Sequence, residues 1–490
     1  MPQRPNVLLI TTDQQRFDSL GCCGSAFMHT PNLDRLAAQG ALVERAYCCN
    51  PVCMPSRASI FSGRMVSRHG VWDNGVNLPE DVPLVSHRLA DLGYRTHYVG
   101  KTHFQVSGGT RDQSREAGDG WEERFPAWTG PYYGFETVEL SIGHTKGGLR
   151  GHYGAWVRQQ VSQADWDRYQ EADMRGEYFF GCNAFDWDLP TELHNSTWVA
   201  ERGIDFLDRH DLGRPFLLAL GFQDPHHTHC VPRNFASRVD PAAVPPPDYT
   251  EGELDDRPPH YAATHDGSVG GWAFDRVTDT EAREGRAYYY TLVQQIDREV
   301  GRVLAALDRR GLTDNTLVVF TSDHGELLGD HGLWMKGPYP YEVLIHVPMI
   351  VRWPAGLPGA QRVDALVSHV DLVPTLLAAV GAEPDDGLDG ANALPLLRGQ
   401  VDRLRHEALV EYTHGPGGMR LKTLVTENRK LTWYGDGRPG ELGDLANDPR
   451  EKRNLWDDPA YGADKAELLG RIIDRLGPLE RRAPMLVHGA

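Results

Sequence analysis

The chain has 490 residues, with 50 lysines and arginines against 68 aspartates and glutamates, so its formal net charge is −18. This length predicts two or more domains, or one large α/β domain with an appendage, and 40% hydrophobic residues exclude a disordered chain. Nucleic acids and anionic membranes are bound through positive patches, so the acidic balance, which includes no basic run, argues against both as partners. A site for an anionic substrate must supply its own cations locally.

Strand-like and helix-like segments alternate along most of the chain. Residues 6–11 predict a buried strand ending at Asp13, and Thr30-Pro31 and Gly40 mark the start and end of a helix. The alternation predicts the α/β class, with a mostly parallel sheet, helices on both faces, and ligands beyond the carboxyl ends of the strands. Further helices are predicted over 83–92 and 281–310, and further strands over 95–99, 216–222 and 316–321.

The organisation predicts two domains, a catalytic α/β domain over 1–381 and a smaller α+β domain over 382–490. Two long interruptions of the first domain, residues 104–190 and 240–275, are expected to be lids or binding loops. The second domain should hold a small antiparallel sheet with one helix, from strand-like segments at 407–413, 419–426 and 429–434 and a helical segment at 464–476.

The first apolar run, residues 7–10, is too short for a signal peptide, and no stretch reaches the ~18 apolar residues of a membrane span. We expect a soluble cytoplasmic protein that does not bind a membrane, although a precursor already trimmed of its leader would show the same pattern. The seven cysteines, an odd number with two adjacent pairs, fit reduced thiols better than a disulfide framework. A homo-oligomer is compatible with the sequence.

Two common catalytic motifs are absent from the sequence. Gly100-Lys101-Thr102 follows a predicted strand, but a phosphate-binding P-loop requires glycine at position 95, which is arginine. The Gly-Ser-Val-Gly segment at 267–270 lacks the first glycine of a serine-hydrolase elbow, because Asp266 stands there.

Polar residues follow two of the predicted parallel strands, Asp13 and Gln14 after one, Asp323 and His324 after the other. Parallel strands place their carboxyl ends together, so these four side chains predict a site for one divalent cation. Each Asp alone would more often cap a turn. The mainly oxygen donor set favours Ca²⁺, Mg²⁺ or Mn²⁺; we expect Ca²⁺, and the imidazole makes Mn²⁺ the alternative.

A second group of possible ligands comprises His226, His227, His229 and Cys230. Its spacing matches no standard zinc pattern, and Cys182 is the nearest other cysteine. A catalytic His226 beyond the strand 216–222 is the preferred interpretation, because that strand end faces the same crevice as Asp13 and Asp323.

The segment from Cys53 to Arg57, Cys-Met-Pro-Ser-Arg, with Ala-Ser-Ile-Phe-Ser-Gly-Arg after it, is the most specific signal in the chain. It resembles the signature of type I sulfatases, within the alkaline-phosphatase-like superfamily. The resemblance implies that a formylglycine-generating enzyme oxidises Cys53 to formylglycine, whose hydrated aldehyde is the nucleophile. For an isolated cysteine, a buried structural role at a helix start would be the default.

The resemblance extends over essentially the whole chain except residues 104–190 and 240–275. Matching segments are the opening strand and helix, Gly100-Lys101-Thr102-His103, Asp224-Pro225-His226, residues 321–326 with Lys336, and the carboxyl-terminal signature over 442–455. Many sulfatases carry Asp and Asn where this chain has Gln14 and His324. That variant resembles choline-sulfatase-like enzymes and phosphonate monoester hydrolases, and Asn74 stands where the latter carry a substrate-contacting asparagine.

The resemblance implies hydrolysis of a small alkyl or aryl sulfate monoester to an alcohol and sulfate. Arg57 would hold the hydrated aldehyde, while Lys101 and Lys336 would bind the sulfate oxygens. His226 would protonate the leaving group, and His103 would act as the base that releases sulfate. Two other classes stay open: a phosphonate monoester or phosphodiester hydrolase using the same formylglycine, and a non-catalytic binding protein that keeps the fold.

Overall fold

A computed structural model of the chain describes residues 4–108, 113–117, 121, 127–144, 149–171, 184–269, 273–414, 418–475 and 481–487. Cys182 lies outside these ranges. The strands are β1 Asn6–Thr12, β2 Ala41–Tyr47, β3 Arg95–Gly100, β4 Thr137–Leu140, β5 Ala184–Trp187, β6 Phe216–Gly221, β7 His229–Pro232, β8 Thr316–Ser322, β9 His346–Arg352, β10 Gln361–Ser368, β11 Glu407–Thr413, β12 Arg420–Thr426, β13 Arg429–Tyr434 and β14 Glu441–Asp444.

Eight of these strands form one sheet in the order β10-β2-β9-β8-β1-β6-β3-β4. The five consecutive strands from β8 to β4 are parallel to one another, and β9 runs antiparallel to both of its neighbours. A second sheet, β11-β12-β13-β14, is antiparallel throughout, and β5 and β7 form a parallel pair. The predicted α/β class with a small carboxyl-terminal antiparallel sheet is confirmed.

Both faces of the large sheet are buried, as β1 shows residue by residue. Val7 and Leu9 belong to one apolar cluster, and Leu8 and Ile10 belong to a second cluster on the opposite face. Successive side chains of a strand point to opposite faces, so an uninterrupted apolar run fits a strand covered on both sides. This packing explains why residues 7–10 read as a continuous apolar segment.

The predicted helices are present, with small shifts at their ends. The long helix is Asp279–Arg309, and its start is capped by Thr278, whose hydroxyl oxygen accepts a hydrogen bond from the Glu281 N–H. The helix predicted over 83–92 is Val85–Asp91, because Leu84 stays extended and its N–H bonds to the His87 ring. No helix among the described residues combines the length and the apolar character needed to cross a membrane.

The α-helices in chain order are α1 Pro31–Gln39, α2 Cys53–Ser62, α3 Val66–His69, α4 Val85–Asp91, α5 Gly151–Gln160, α6 Gln163–Glu171, α7 Asn195–Arg209, α8 Pro259–His265, α9 Asp279–Arg309, α10 Glu342–Ile345, α11 Leu372–Ala379, α12 Leu394–Leu397 and α13 Gly462–Arg475. Residues 104–190, expected to be loops, contain β4, α5, α6 and β5. This segment therefore adds the edge strand β4 to the main sheet.

The carboxyl-terminal sheet packs against α13 through an apolar cluster that includes Leu424, Leu431, Leu468 and Ile472. Buried polar contacts join this sheet to the rest of the chain: the Asn50 side-chain amide donates to the Glu411 carbonyl at 2.6 Å. Division of the chain at residue 381 stays a prediction.

Candidate active site

Five neighbouring parallel strands deliver one polar group each to the same edge of the sheet. Asp13 follows β1, Asp323 follows β8, Lys101 follows β3, His226 lies shortly after β6, and His144 lies shortly after β4. The shared direction of these strands brings residues far apart in sequence to one crevice at their carboxyl ends. The sequence-based placement of Asp13, Lys101, His226 and Asp323 agrees with this arrangement.

Cys53 is the first residue of α2 and lies at the centre of the crevice. Its Sγ is 3.0 Å from Lys336 Nζ, 3.3 Å from His324 Nε2 and 3.5 Å from Asp13 Oδ1. Every residue of α2 is buried, and the amino-terminal end of the helix, where its backbone dipole is positive, is next to the thiol. Burial and the Asp13 carboxylate raise the pKa of the Cys53 thiol above its ordinary value. Cys53 is therefore a weak nucleophile in its thiol form.

Arg57, one turn further along α2, links the two carboxylates of the crevice. Its Nε donates to Asp323 Oδ2 at 2.8 Å, and one terminal nitrogen lies 3.4 Å from Asp13 Oδ2. Its other terminal nitrogen donates to the Lys101 carbonyl at 2.8 Å. Burial would lower the pKa of Arg57, but Asp323 and Asp13 raise it, so the guanidinium stays charged. The predicted contact of Arg57 with a hydrated aldehyde stays a prediction.

The two predicted lysines have different partners in the crevice. Lys101 Nζ contacts Asp13 Oδ2 and the ring of His144, and Lys336 Nζ lies 2.8 Å from His226 Nε2. Burial would raise the pKa of Asp13, but Lys101 holds it well below its ordinary range. Burial would lower the pKa of Lys336, but Cys53 and Asp13 raise it. The crevice thus offers a buried positive field in a chain of negative net charge.

Two overlapping groups of side chains have ligand atoms close enough to share a cation. Each group contains Asp13 and Cys53, joined in one by Asp323 and His324 and in the other by His144 and His226, with all ligand atoms of a group within 4.8 Å of one another. Gln14 Oε1 is buried and has no hydrogen-bond partner among the described residues. A buried amide oxygen without a partner is costly unless a cation or water satisfies it. The predicted set of Asp13, Gln14, Asp323 and His324 therefore suits a hard divalent cation.

His144 is a site residue that the sequence did not indicate. Its ring stacks on that of His226 with 3.6 Å between centroids and 6° between planes, and its Nε2 is 3.7 Å from Asp13 Oδ2. Its side chain is 23% exposed, whereas that of Asp13 is fully buried, so His144 lies toward the mouth of the crevice. His144 belongs to no recognised motif. Only the prediction of a fifth parallel strand within residues 104–190 could have indicated it from the sequence.

Burial keeps the imidazoles of the crevice neutral. The pKa of His226 lies well below its ordinary value because of burial and the neighbouring His144 and His227 rings. Burial and Lys101 lower the pKa of His144 to about 3. A neutral His226 accepts a hydrogen bond from Lys336 through Nε2, and its Nδ1 faces the His227 carbonyl.

His103 and Asn74 lie next to this group but are held by backbone contacts. The His103 N–H donates to Glu116 at 2.9 Å, and its ring Nδ1 is buried with no hydrogen-bond partner in the described part of the chain. Asn74 Oδ1 accepts the Met54 N–H at 3.0 Å, one residue after Cys53. The oxygen of Asn74 therefore supports the start of α2, and its predicted contact with substrate stays a prediction.

The predicted zinc cluster is not assembled among the described residues, because His226 is its only member in a group of cation-ligand atoms. His227, His229 and Cys230 belong to neither group of cation-ligand atoms, and Cys230 is part of the apolar core. The His229 ring bonds to the Pro225 carbonyl at 3.0 Å.

Acid is expected to destabilise the fold through His69, which is buried behind α2. Its Nδ1 accepts the Val71 N–H at 3.1 Å, and burial lowers its pKa to about 3. The unfolded chain, with a histidine pKa of about 6.5, binds this proton more readily, so the stabilisation is complete above that pH and declines below it. The measurement is the free energy of unfolding of the wild type and of His69→Gln at the two pH values. The difference in favour of the wild type should shrink by about 1.4 kcal/mol between pH 7.5 and 5.5. Parallel pH profiles for the two proteins would contradict this assignment.

Comparison with known proteins identifies the family of the chain. The family model described as Sulfatase matches residues 5–382, and the one described as N-sulphoglucosamine sulphohydrolase, C-terminal, matches residues 329–476. Because the first match covers well over half of the chain, this protein belongs to the sulfatase family, with the alkaline-phosphatase-like fold. Membership of this family of sulfuric ester hydrolases confirms the resemblance of the Cys53 segment.

Individual relatives span nearly the whole chain. An arylsulfatase of Clostridium perfringens is 28% identical over 485 residues, covering 96% of this chain and 94% of the relative. A choline-sulfatase of Rhizobium meliloti is 29% identical over 477 residues, covering 95% and 85%. The structure of a phosphonate monoester hydrolase from Silicibacter pomeroyi matches with a TM-score of 0.78 and 25% identity, covering 96% of this chain and 95% of that one.

Proposed function

We propose that this protein hydrolyses aryl or small alkyl sulfate monoesters through a formylglycine derived from Cys53. The position of Cys53 carries the proposal: a fully buried thiol between two lysines, two carboxylates and several imidazoles. The raised pKa of Cys53 makes it a poor thiolate source, and sulfur attack would leave a stable covalent adduct. Conversion to the aldehyde removes both obstacles. A formylglycine-generating enzyme is therefore the proposed partner in maturation.

Asp13, Gln14, Asp323 and His324 are the residues proposed to hold one divalent cation, Ca²⁺ or Mn²⁺. When both groups are in place, the hydrated aldehyde and the cation supply the attacking oxygen and polarise the ester. Arg57 balances the charge of Asp13 and Asp323 and fixes their orientation.

Lys101 and Lys336 bind the oxygens of the sulfate group, which carries a single negative charge. The bond between sulfur and the leaving oxygen breaks, and that oxygen takes a proton through His226. Because His226 is neutral and its Nε2 accepts a hydrogen bond from Lys336, the proton that Nε2 gives to the leaving oxygen is first taken from Lys336. His103 takes up a proton as sulfate departs, consistent with its unpartnered Nδ1. The net reaction consumes one water and releases an alcohol, sulfate and one proton.

A substrate panel tests this function on protein produced together with a formylglycine-generating enzyme. We expect kcat/KM for 4-nitrophenyl sulfate to exceed that for a phenylphosphonate monoester and for a phosphodiester. A higher value for either phosphorus ester would replace the proposal by the second candidate below. Metal binding without turnover of any ester would instead support a binding protein.

The second candidate, a phosphonate monoester or phosphodiester hydrolase, is favoured by the presence of Gln14 and His324 and by the structural similarity to a phosphonate monoester hydrolase. These esters also carry one negative charge, so the same two lysines would suit them. Lys101 and His103, which resemble sulfatase residues, favour the sulfate ester.

His144 is proposed as an additional residue of this site, because it contacts Lys101 and stacks on His226. We expect His144→Ala to lower kcat/KM by about 10- to 100-fold, since displacement of a catalytic group by about 1 Å costs up to about 100-fold. The loss should be larger for an alkyl sulfate than for 4-nitrophenyl sulfate, because a poor leaving group depends more on protonation. His406→Ala, at an exposed position in the carboxyl-terminal part, serves as the control. Equal losses on both substrates would contradict a role through His226.

A further inference from the structure

The carboxamide of Gln14 is held in one orientation by its neighbours. Its Nε2 donates one hydrogen bond to Glu326 Oε2 and faces His227 Nδ1 at 3.1 Å. The NH₂ end of the amide is therefore in contact with two polar partners, while the oxygen at the other end has no partner among the described residues. The Gln14 backbone is also held: its N–H donates to Asp323 Oδ1 at 3.0 Å, and its carbonyl accepts the Tyr289 hydroxyl at 2.8 Å.

Glu326 is itself anchored by hydrogen bonds to its own loop and to Arg16. Its second carboxylate oxygen accepts the Leu328 N–H at 3.0 Å, and its backbone carbonyl accepts a hydrogen bond from Arg16 at 3.2 Å. The residue is 1% exposed. The carboxylate therefore has a fixed position, three residues after Asp323 and two after His324.

The carboxylate of Glu326 selects one of the two possible orientations of the Gln14 amide, which the shape of the amide does not. The two ends of a glutamine amide are nearly identical in size, so packing alone would accept either orientation. An ionised carboxylate only accepts hydrogen bonds, so it must face the NH₂ end. Glu326 thereby forces the oxygen of Gln14 to be the end left for a ligand.

We propose that Glu326 is a positioning residue of the cation site, holding the Gln14 amide so that its oxygen, rather than its nitrogen, is presented to a divalent cation. The inference rests on the proposed function only in requiring such a cation. Residues 321–326 then supply two ligands, Asp323 and His324, together with the group that orients a third.

The test is calorimetric titration of Ca²⁺, and separately of Mn²⁺, into the chelated full-length chain. Glu326→Gln keeps the shape but offers a donor as well as an acceptor, so both orientations of Gln14 become acceptable. We expect the affinity for the cation to fall by about 10- to 100-fold, the range for groups that orient metal ligands. Turnover should fall at low cation concentration and recover when the cation is in excess, which a merely structural loss would not do.

A reciprocal pair of substitutions sharpens the test. Gln14→Glu places a second buried carboxylate against Glu326 and should weaken cation binding. In the double variant Gln14→Glu/Glu326→Gln, the donor and acceptor exchange places, and affinity should return to within about tenfold of the wild type. Such recovery demonstrates a direct interaction between the two side chains.

Glu299→Gln is the matched control, because Glu299 is a buried carboxylate on α9 paired with Arg298 and Arg302. It should lower thermal stability without changing cation affinity. Unchanged affinity in Glu326→Gln, with a wild type that binds the cation, would overturn the positioning role and leave the proposed function intact. A wild type that binds neither cation would overturn both.

Discussion

Replacing Cys53 by alanine is expected to lower kcat for the preferred ester by about 10⁶-fold, the size of the loss when a hydrolase loses its covalent nucleophile. The reason is positional. The Cys53 side chain is the one toward which Lys336, His324 and Asp13 converge, and the methyl group of an alanine at this position leaves these groups no atom to activate. Steady-state kinetics on matured protein measures the effect.

The companion measurement is the mass of the peptide that contains residue 53. After co-production with a formylglycine-generating enzyme it should be about 18 Da lighter than the thiol form, because an aldehyde oxygen replaces the sulfur and two hydrogens are lost. Cys23→Ala, at a half-buried position outside the site, should retain turnover. Near wild-type activity in Cys53→Ala would refute the mechanism.

Replacing Asp13 by asparagine is expected to lower kcat/KM by about 10³-fold, the upper end of the loss on removing one preorganised transition-state contact. Asp13 is shared by both groups of cation-ligand atoms and also contacts Lys101 and Arg57. A neutral amide of the same shape removes the negative charge of this cation ligand and leaves Lys101 without its ion-pair partner. Calorimetric titration should show loss of divalent-cation binding alongside the loss of turnover.

Asp297→Asn is the control for this variant. Asp297 is also buried, but it accepts the backbone N–H groups of Asn32 and Leu33 at the start of α1. Its substitution should reduce stability with cation binding unchanged. If Asp13→Asn binds the cation as tightly as the wild type, the proposed ligand set is wrong.

Local sequence patterns were sufficient for the elements that meet at the site. The apolar run before Asp13 and the run before Asp323 predict parallel strands, because a strand buried on both faces needs apolar residues at every position. The segment Cys53–Arg57 indicates, by its residue order, the helix that carries the proposed nucleophile. The site residues carried by short motifs, such as Lys101, His226 and Lys336, were recognisable for the same reason.

Other features depend on contacts between residues that are distant in sequence. His144 joins the site only because β4 pairs with β3, and nothing in the residues around it signals that pairing. Asn74 becomes a support of α2 through a single hydrogen bond across 20 residues. The roles of Arg57 and Glu326 likewise follow from partners on other strands and loops.

The sequence by itself determined the fold class and the sulfatase family and indicated Cys53 as the candidate nucleophile, since each is encoded in contiguous residues. Tertiary structure alone decided the protonation of the buried imidazoles, the orientation of Gln14 and the inclusion of His144. The physical reason is that pKa values and amide orientation depend on burial and on neighbouring charges, and these arise only when separate strands bring their carboxyl ends to one edge of the sheet.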